Sequence, residues 1–591
     1  MDAVPRKRQG RSLTDSNAFK ALVGLLSLAV ALQFLIIFGL VTNPNASESL
    51  KELLHRARVR RTPDSAARPT PPDPVLKQNI SPPGKTLIRR AGAVQKASED
   101  KKESEAGNGV ALPQPEAHLQ PHLYPRVPPL PAFVEIPDAE RLSADTIAGR
   151  PTIAGITAIL NKFLTDAHIS NRRLASDPTL HVGPSLDRDR VYKEYMQLIQ
   201  RDLIPLDAAY RERAVFPVRD DNSVFVSLAS YRDYLLGETL KELFEKAEHP
   251  ERLFVGAVVQ NCFGVEFTCR TGVEVVGTDK NGHPKTKVSD APPDKNGVAE
   301  FCEDSKFSKY CESGQIRALY VNETEANGPT MARYMASKLW GGEKFYMQVD
   351  SHLQFAEKWD DLYIAEVKAA SSYPKAVLST YPPGFEGFHG GGSLGSRLCS
   401  CEFSVSDVED HIIRIGLGPG YKTHPSRPRQ IAFIAAGFFF AHADFLTDVP
   451  FDPFLPWCFM GEEILLSMRA WTHGWNIYAP RKNWIAHQYR PGRMGLPKFW
   501  ESVGRLFHRP GPQFSNRIQE KIILRVKHIV GYPDITREKI ESQGDIILLE
   551  DLEHYGTGTN RSRDAYIELT NIDFDKKSCN RMDWCSNADM E

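Results

Sequence analysis

The apolar positions of this chain follow three successive regimes. Residues 21 to 41 (ALVGLLSLAVALQFLIIFGLV) are an unbroken apolar run with no charge and Gln33 as the only strongly polar side chain. A helix of that length crosses a bilayer, and a run with no polar face reads as an uncleaved signal-anchor rather than a core helix. From about residue 48 to 136 periodicity disappears into Pro, Ala, Lys, Arg and Gln, punctuated by PTPPDP, SPPG and YPRVPPLP. Such a composition buries too little apolar surface to fold and reads as an extended stem. Helical spacing returns between Asp138 and Tyr210, at Ile153, Ile156, Ile159, Leu160 and Phe163 and again at Tyr192, Tyr195, Met196 and Ile199. One or two amphipathic helices packing on a main domain are predicted there.

At Ser223 the pattern changes to buried-strand runs. VFVSLAS predicts a strand, Leu236, Leu240, Leu243 and Phe244 a helix face, Pro250 its end, and the run from Arg252 to Gln260 a second strand. That is a β-α-β unit opening a parallel sheet. It lacks the Gly-x-Gly-x-x-Gly turn of a dinucleotide binder. The first strand instead delivers Ser230, Tyr231, Arg232 and Asp233 to the crevice at the sheet's edge. A ring to stack on a base and a carboxylate to accept an imide hydrogen suit uridine; a plain helix start with Asp as cap is the alternative. Residues 261 to 315 read as a polar insertion framed by four cysteines, Ile316 to Val321 as a third strand, and Gly328 to Trp340 as a helix with Pro329 just inside its start. Arg333, one turn in, faces either solvent or a diphosphate. The strand that follows, Phe345-Tyr346-Met347-Gln348-Val349, ends in Asp350-Ser351-His352. A carboxylate and an imidazole one residue apart at a strand end can lean toward one cation, and oxygen plus imidazole suits Mn²⁺ and also fits Zn²⁺ or Fe²⁺.

Composition narrows the function classes. The chain has 591 residues, too many for one core, and a formal net charge of -1 from 73 basic and 74 acidic side chains, which gives nucleic acid no electrostatic footing. None of the 9 cysteines precedes Cys262, so a disulfide-capable region follows a cysteine-free lead, and the odd count leaves a thiol unpaired. No Cys-x-x-Cys pair is present, which argues against structural zinc. Basic residues flank the apolar run on both sides, so charge alone does not orient it. The sequons at Asn45, Asn79, Asn322 and Asn560, with the cysteines, favour a lumenal C-terminal side.

The succession FVSLASYRD, ERLFVGAVVQ, GPTMARYMASKLW, FYMQVDSH and FMGEEILLSMRAWTHGWNIYAP closely resembles the metal-dependent N-acetylglucosaminyltransferases that place GlcNAc on peptide hydroxyls, from about Ser223 to Phe574. Members act on hydroxyproline of a cytosolic ubiquitin-ligase subunit and on threonine of Golgi mucins in protists. The triplet Asp350-Ser351-His352 is also similar to the Asp-x-His motif of polypeptide N-acetylgalactosaminyltransferases. The resemblance implies a GT-A-like, Rossmann-type α/β domain with a mostly parallel sheet, a UDP-GlcNAc donor, Mn²⁺ and retention of configuration. The expected organisation is a cytosolic tail at 1–20, an anchor helix at 21–41, a stem at 42–136, a helical packing region at 137–221, the transferase domain at 222–575 and a peripheral, cysteine-containing tail at 576–591. It describes a single-pass type II Golgi membrane protein with a lumenal catalytic domain.

The expected site has Asp350 and His352 as metal ligands and His487 as the third, because His487 follows the short strand NIYAP at the rim. Arg490 would reach a phosphate oxygen. Glu462 and Glu463 open a helix, where adjacent carboxylates are often only dipole partners. The resemblance puts this segment under the acceptor, so one of the two would bind sugar hydroxyls or the acceptor. A retaining transfer needs no dedicated base, whereas an inverting one would use one of these glutamates. The run from Phe433 to Phe440 is taken as a core strand ending near His442 and Asp444, with the acceptor close by. Gly384 to Ser396 is expected to be a mobile loop, without the ending of a P-loop. The rival readings are a UDP-GalNAc-using polypeptide transferase, a tethered sugar-binding protein without turnover, and a metal-dependent hydrolase.

Overall fold

The computed structural model describes residues 152–580 and 582–586, apart from 183–184, 212–213, 265–267, 272–273, 279–283, 288, 389, 391–392, 406–408, 419, 422–423, 490–495 and 508–510. The apolar run at 21–41, the proline-rich stretch, Asn45, Asn79 and Arg490 lie outside the described residues. Among the described residues no helix is long and apolar enough to cross a membrane.

An eight-stranded sheet forms the centre. In chain order its strands are β1 (Val224–Tyr231), β2 (Leu253–Asn261), β3 (Ile316–Asn322) and β4 (Phe345–Val349); after a short outlying strand β5 (Leu353–Phe355) come β6 (Ala376–Ser379), β7 (Arg429–Ile431), β8 (Phe438–His442) and β9 (Asn476–Ala479). Their spatial order is β7-β9-β6-β8-β4-β1-β2-β3. Every strand but β7 and β8 runs the same way, as the parallel pairings β4/β1, β1/β2, β2/β3 and β6/β9 require. Both faces are covered, which is why the strands read as continuous apolar runs rather than alternating ones.

The alternation is present in space instead. Val224, Val226 and Leu228 point into one core with Met347 and Phe440, while Phe225, Tyr346 and Phe439 point into the other. The first core is closed by α3 (Leu236–Glu245) and α5 (Trp359–Lys368), whose Leu236, Leu240, Leu243 and Trp359 are buried. The second lies under α4 (Gly328–Lys338), α6 (Glu462–Thr472), α8 (Gly511–Val530) and two N-terminal helices, α1 (Ile153–Ser176) and α2 (Arg188–Leu198). Thr152 caps α1 by accepting from the Gly155 N–H at 3.1 Å. The helical packing expected before the sheet is therefore present, and it is knit in by a buried carboxylate. Asp207, on the short helix Ile204–Ala208, accepts from the hydroxyls of Tyr334 (2.8 Å) and Tyr555 and pairs with Lys338 at 2.7 Å.

Order β3-β2-β1-β4 places the topological switch between β1 and β4, where open α/β sheets bind ligands. The Asp233 and Asp350 carboxylates both emerge there.

Two expectations are corrected. The strand containing Phe438 to Phe440 is antiparallel to β4, with Phe438 opposite Val349 and His442 opposite Phe345. His442 and Asp444 therefore lie at the far end of the sheet from Asp350, and the run's beginning faces the crevice. The tail is not peripheral: Cys399–Cys585 and Cys401–Cys579 tie it to the hairpin Ser400–Phe403/Ile413–Gly416. Of the two sequons among the described residues, Asn560 is exposed, but Asn322 is 8 % exposed at the end of β3, a poor seat for a glycan. The insertion is pinned locally, by Cys262–Cys269 and Cys302–Cys311, and Cys458 is the buried free thiol.

Candidate active site

Asp350, His352 and His487 converge. Asp350 and His352 follow β4, and His487 ends a strand, β10 (Ile485–His487), that pairs antiparallel with β5 so that His487 sits opposite Leu353. The pairing, not chain proximity, brings the second histidine in across 135 residues. His487 Nε2 stands 3.0 Å from Asp350 Oδ2 and 3.1 Å from His352 Nε2. One ligand atom from each residue lies within 4.8 Å of the others.

This donor set fits a divalent cation. Two imidazole nitrogens turned toward each other and a carboxylate oxygen share one point, a repulsive arrangement of lone pairs unless a proton or cation lies between them. Asp233 Oδ2, 2.6 Å from His352 Nδ1, holds the ring proton on the outer nitrogen and leaves Nε2 turned inward. The same oxygen accepts from Ser351 Oγ at 2.6 Å, and Asp233 Oδ1 accepts from the Leu235 N–H at 2.9 Å. Burial opposes a charge on His352, yet the Asp233 hydrogen bond and the Asp350 charge outweigh it and raise its pKa. Burial likewise pushes Asp350 up, but His487, Arg333 and His352 hold its carboxyl well below the usual range. Gly437, at the turn into β8, leaves room for this carboxylate: a Cβ there would come within 2.8 Å of Asp350 Oδ2.

Behind the cluster, Arg333 of α4 is buried between two carboxylates. Its Nη2 donates to Asp350 Oδ1 at 3.0 Å and its Nη1 to Glu462 Oε2. Arg333 thus faces neither solvent nor an open phosphate site here; it links the metal-side carboxylate to the start of α6. The two glutamates, equivalent in the sequence, separate in space. Glu462 is 7 % exposed and locked to Arg333, its pKa raised by burial against that charge. Glu463 is the less buried of the two. Both its oxygens lie 2.9 Å from Tyr381 Oη, and Oε1 accepts from the Ala436 N–H at 3.0 Å. Burial pushes Glu463 up to about 7, with those two hydrogen bonds opposing.

The side expected to take a base is arranged differently from the expectation. Ser230 is buried, and the Tyr231 ring lies edge-on to Phe499 of α7 (Leu496–Leu506) with centroids 5.4 Å apart. The Arg232 guanidinium grips Asp294 at 2.7 and 3.0 Å and the Arg270 carbonyl at 2.7 Å. Asp233 is occupied with His352 and Ser351 rather than open to an imide hydrogen. The nearby Glu323, facing Arg505 of α7 at 3.8 Å, is pushed by burial up to about 7. Tyr381 and Gly437 were not singled out in the sequence. The signal available for them was only the STYPPG stretch after β6 and the small residues before β8.

The family model for Glycosyltransferase (GlcNAc) matches residues 223–576. The chain belongs to that family. A search of curated proteins found no match. Among solved structures, this glycosyltransferase-family chain is similar to GalNAc-T7 with UDP, GalNAc and Mn²⁺, at 14 % identity and TM-score 0.36, over 61 % of this chain and 59 % of that one. It spans about three-fifths of the GalNAc-T7 chain. It is similar also to S. aureus TarS 1-349 in complex with UDP, at 13 % identity and TM-score 0.26, over 56 % of this chain and 89 % of that one. A third is the mannosyltransferase PcManGT from Pyrobaculum calidifontis in complex with GDP-Man and Mn²⁺, at 13 % identity and TM-score 0.23, over 67 % and 96 %.

Proposed function

We propose that this glycosyltransferase moves N-acetylglucosamine from UDP-GlcNAc to a threonine, serine or hydroxyproline hydroxyl of a protein acceptor. The reaction is Mn²⁺-dependent and retains configuration, and the catalytic domain is held in the Golgi lumen by an anchor at 21–41. The observation that carries the reading is the Asp350–His352–His487 cluster at the β1/β4 switch point of a chain in this family.

In the transfer, the bond between the sugar C1 and the β-phosphate oxygen breaks, and its electron pair leaves with UDP. A new bond forms from C1 to the acceptor oxygen, whose proton passes to the departing diphosphate. The cation held by Asp350, His352 and His487 would supply Lewis-acid neutralisation of that diphosphate. Asp233 keeps the His352 ring oriented. Arg333 and Glu462 fix Asp350 from behind, on the sugar's side. Ser230 and Tyr231 border the base, with Arg232 bracing that border from its pair with Asp294, and Arg490 reaches a phosphate. Glu463 faces the acceptor, a reading supported by its being the less buried of the two glutamates while Glu462 is locked to Arg333.

The test incubates the protein with UDP-GlcNAc or UDP-GalNAc, Mn²⁺ or chelator, and threonine, serine or hydroxyproline peptides. Manganese-dependent GlcNAc on peptide is the expected result. Preferential GalNAc transfer would replace the donor assignment, and UDP-sugar binding without any turnover would overturn the reading as an enzyme.

A further inference from the structure

Tyr381 has no part in holding a cation or a sugar in the site described above, yet it makes the most direct side-chain contact to the acceptor-facing carboxylate. It lies two residues beyond the end of β6, at the edge of the sheet where Asp350 emerges. Its hydroxyl carries one proton and sits 2.9 Å from each Glu463 oxygen, a geometry that squares the carboxylate to the ring rather than favouring one oxygen. The backbone holds the other side. The Ala436 N–H reaches Glu463 Oε1, the Ala436 carbonyl accepts from Gln348 Nε2 at 2.7 Å, and the Asp350 N–H donates to Gly437 at 3.3 Å. A path of hydrogen bonds and turn backbone therefore runs from Tyr381 through Glu463 and the turn before β8 to the main-chain N–H of Asp350.

We propose that Tyr381 is a positioning residue that fixes the Glu463 carboxylate to bind the acceptor by accepting a hydrogen bond from its hydroxyl, before that proton turns to the departing diphosphate, an inference that rests on the function proposed above. The groups facing Glu463 are Glu462 on its own helix, Arg333 from α4, and the phenols of Tyr381 and Tyr489. Burial raises the Glu463 carboxyl to about 7, and the Tyr381 hydrogen bond favours the ionised form. The ionised form is the one that accepts a hydrogen bond from a hydroxyl. Activity therefore falls as pH drops through that value, and loss of the Tyr381 hydroxyl moves the fall to higher pH.

The experiment compares wild type, Tyr381→Phe, Glu463→Gln and the double variant, measuring transfer to peptide, hydrolysis of the UDP-sugar by water, thermal midpoint and the pH profile of kcat/KM for the peptide. Tyr381→Phe is expected to lower peptide transfer about tenfold or more while hydrolysis stays within about twofold. Its acidic limb should rise by about half a pH unit or more. Glu463→Gln should abolish the limb, and the double variant should be no worse than Glu463→Gln, because the two act as one unit. The proposal is overturned if Tyr381→Phe keeps the wild-type transfer-to-hydrolysis ratio and limb, or if transfer, hydrolysis and midpoint all fall together. Where Tyr381→Phe does not fold, Glu463→Gln decides: an unchanged limb overturns the proposal, and a lost limb supports it. Wild-type protein lacking both transfer and hydrolysis would strike the underlying function instead.

Discussion

Two polar clusters in this molecule use the same ingredients to opposite ends. Around Asp207 a carboxylate meets two phenols and an ammonium, the carboxylate is fully buried, and every group in the set answers another. Around Asp350 a carboxylate meets two imidazoles and a guanidinium, but the three prospective ligands keep 11 to 26 % side-chain exposure and the two histidines turn their Nε2 atoms toward each other. The first is closed and joins the N-terminal helices to α4 and the C-terminal region. The second gathers its donor atoms at one partly exposed point. Number of charges does not separate structure from function here; completion of the hydrogen-bond set does.

The sharpest break of the contrast comes from Asp350→Asn. It should reduce transfer by roughly a thousandfold or more, since the Lewis-acid contribution is worth several kcal/mol, while the thermal midpoint moves little. Asp207→Ala should do the reverse. It strands Lys338 in a buried site and is expected to cost about 3–5 kcal/mol in denaturant unfolding, lowering activity only in proportion to the protein unfolded. A thousandfold loss of transfer in fully folded Asp207→Ala protein would erase the distinction. Asp233→Asn lies between: manganese titration by calorimetry should show affinity about 10- to 100-fold weaker, because the His352 ring loses its orienting carboxylate.

The smallest effect belongs to Glu323, a buried carboxylate with Arg232, Arg505 and Asp294 as its facing charges. Its folded pKa is raised from 4.5 to about 7, so its contribution to stability is full below the unfolded value and is lost as pH rises through the folded one. Wild type should therefore weaken by about 2 kcal/mol more than Glu323→Gln between pH 4.5 and 7.5, read from unfolding curves at both pH values. Parallel curves would mean that Arg232 and Arg505 already hold Glu323 ionised.

The sequence was legible where chemistry and periodicity coincide. VFVSLAS, the β-α-β unit and the strand ending at Asp350 appear as read, because fully buried parallel strands leave long apolar runs. His487 was singled out because it follows the strand NIYAP, whereas the structure brings it beside Asp350 and His352 through a separate short strand, Ile485–His487, paired with β5. What could not be read depends on strand direction and side-chain partners. The antiparallel insertion of β8 reversed the expected place of His442 and Asp444, and a one-dimensional pattern carries no direction. Asp233, read as a base acceptor, proved to hold His352, and nothing local distinguishes a free carboxylate from one paired 119 residues away. The division of labour between Glu462 and Glu463 needed Arg333 and Tyr381, which approach from elements 129 and 82 residues distant.

The two tail disulfides span 186 and 178 residues, from a hairpin just after β6 to the last described turns of the chain. A polypeptide emerging residue by residue must hold Cys399 and Cys401 unmatched until Cys579 and Cys585 have been made, so these bridges close after the short local ones and require an oxidising milieu. Shortening the protein ahead of Cys579 would leave two stranded thiols beside the helices that frame the glutamates. Synthesis in a reducing host would do the same without altering a single residue.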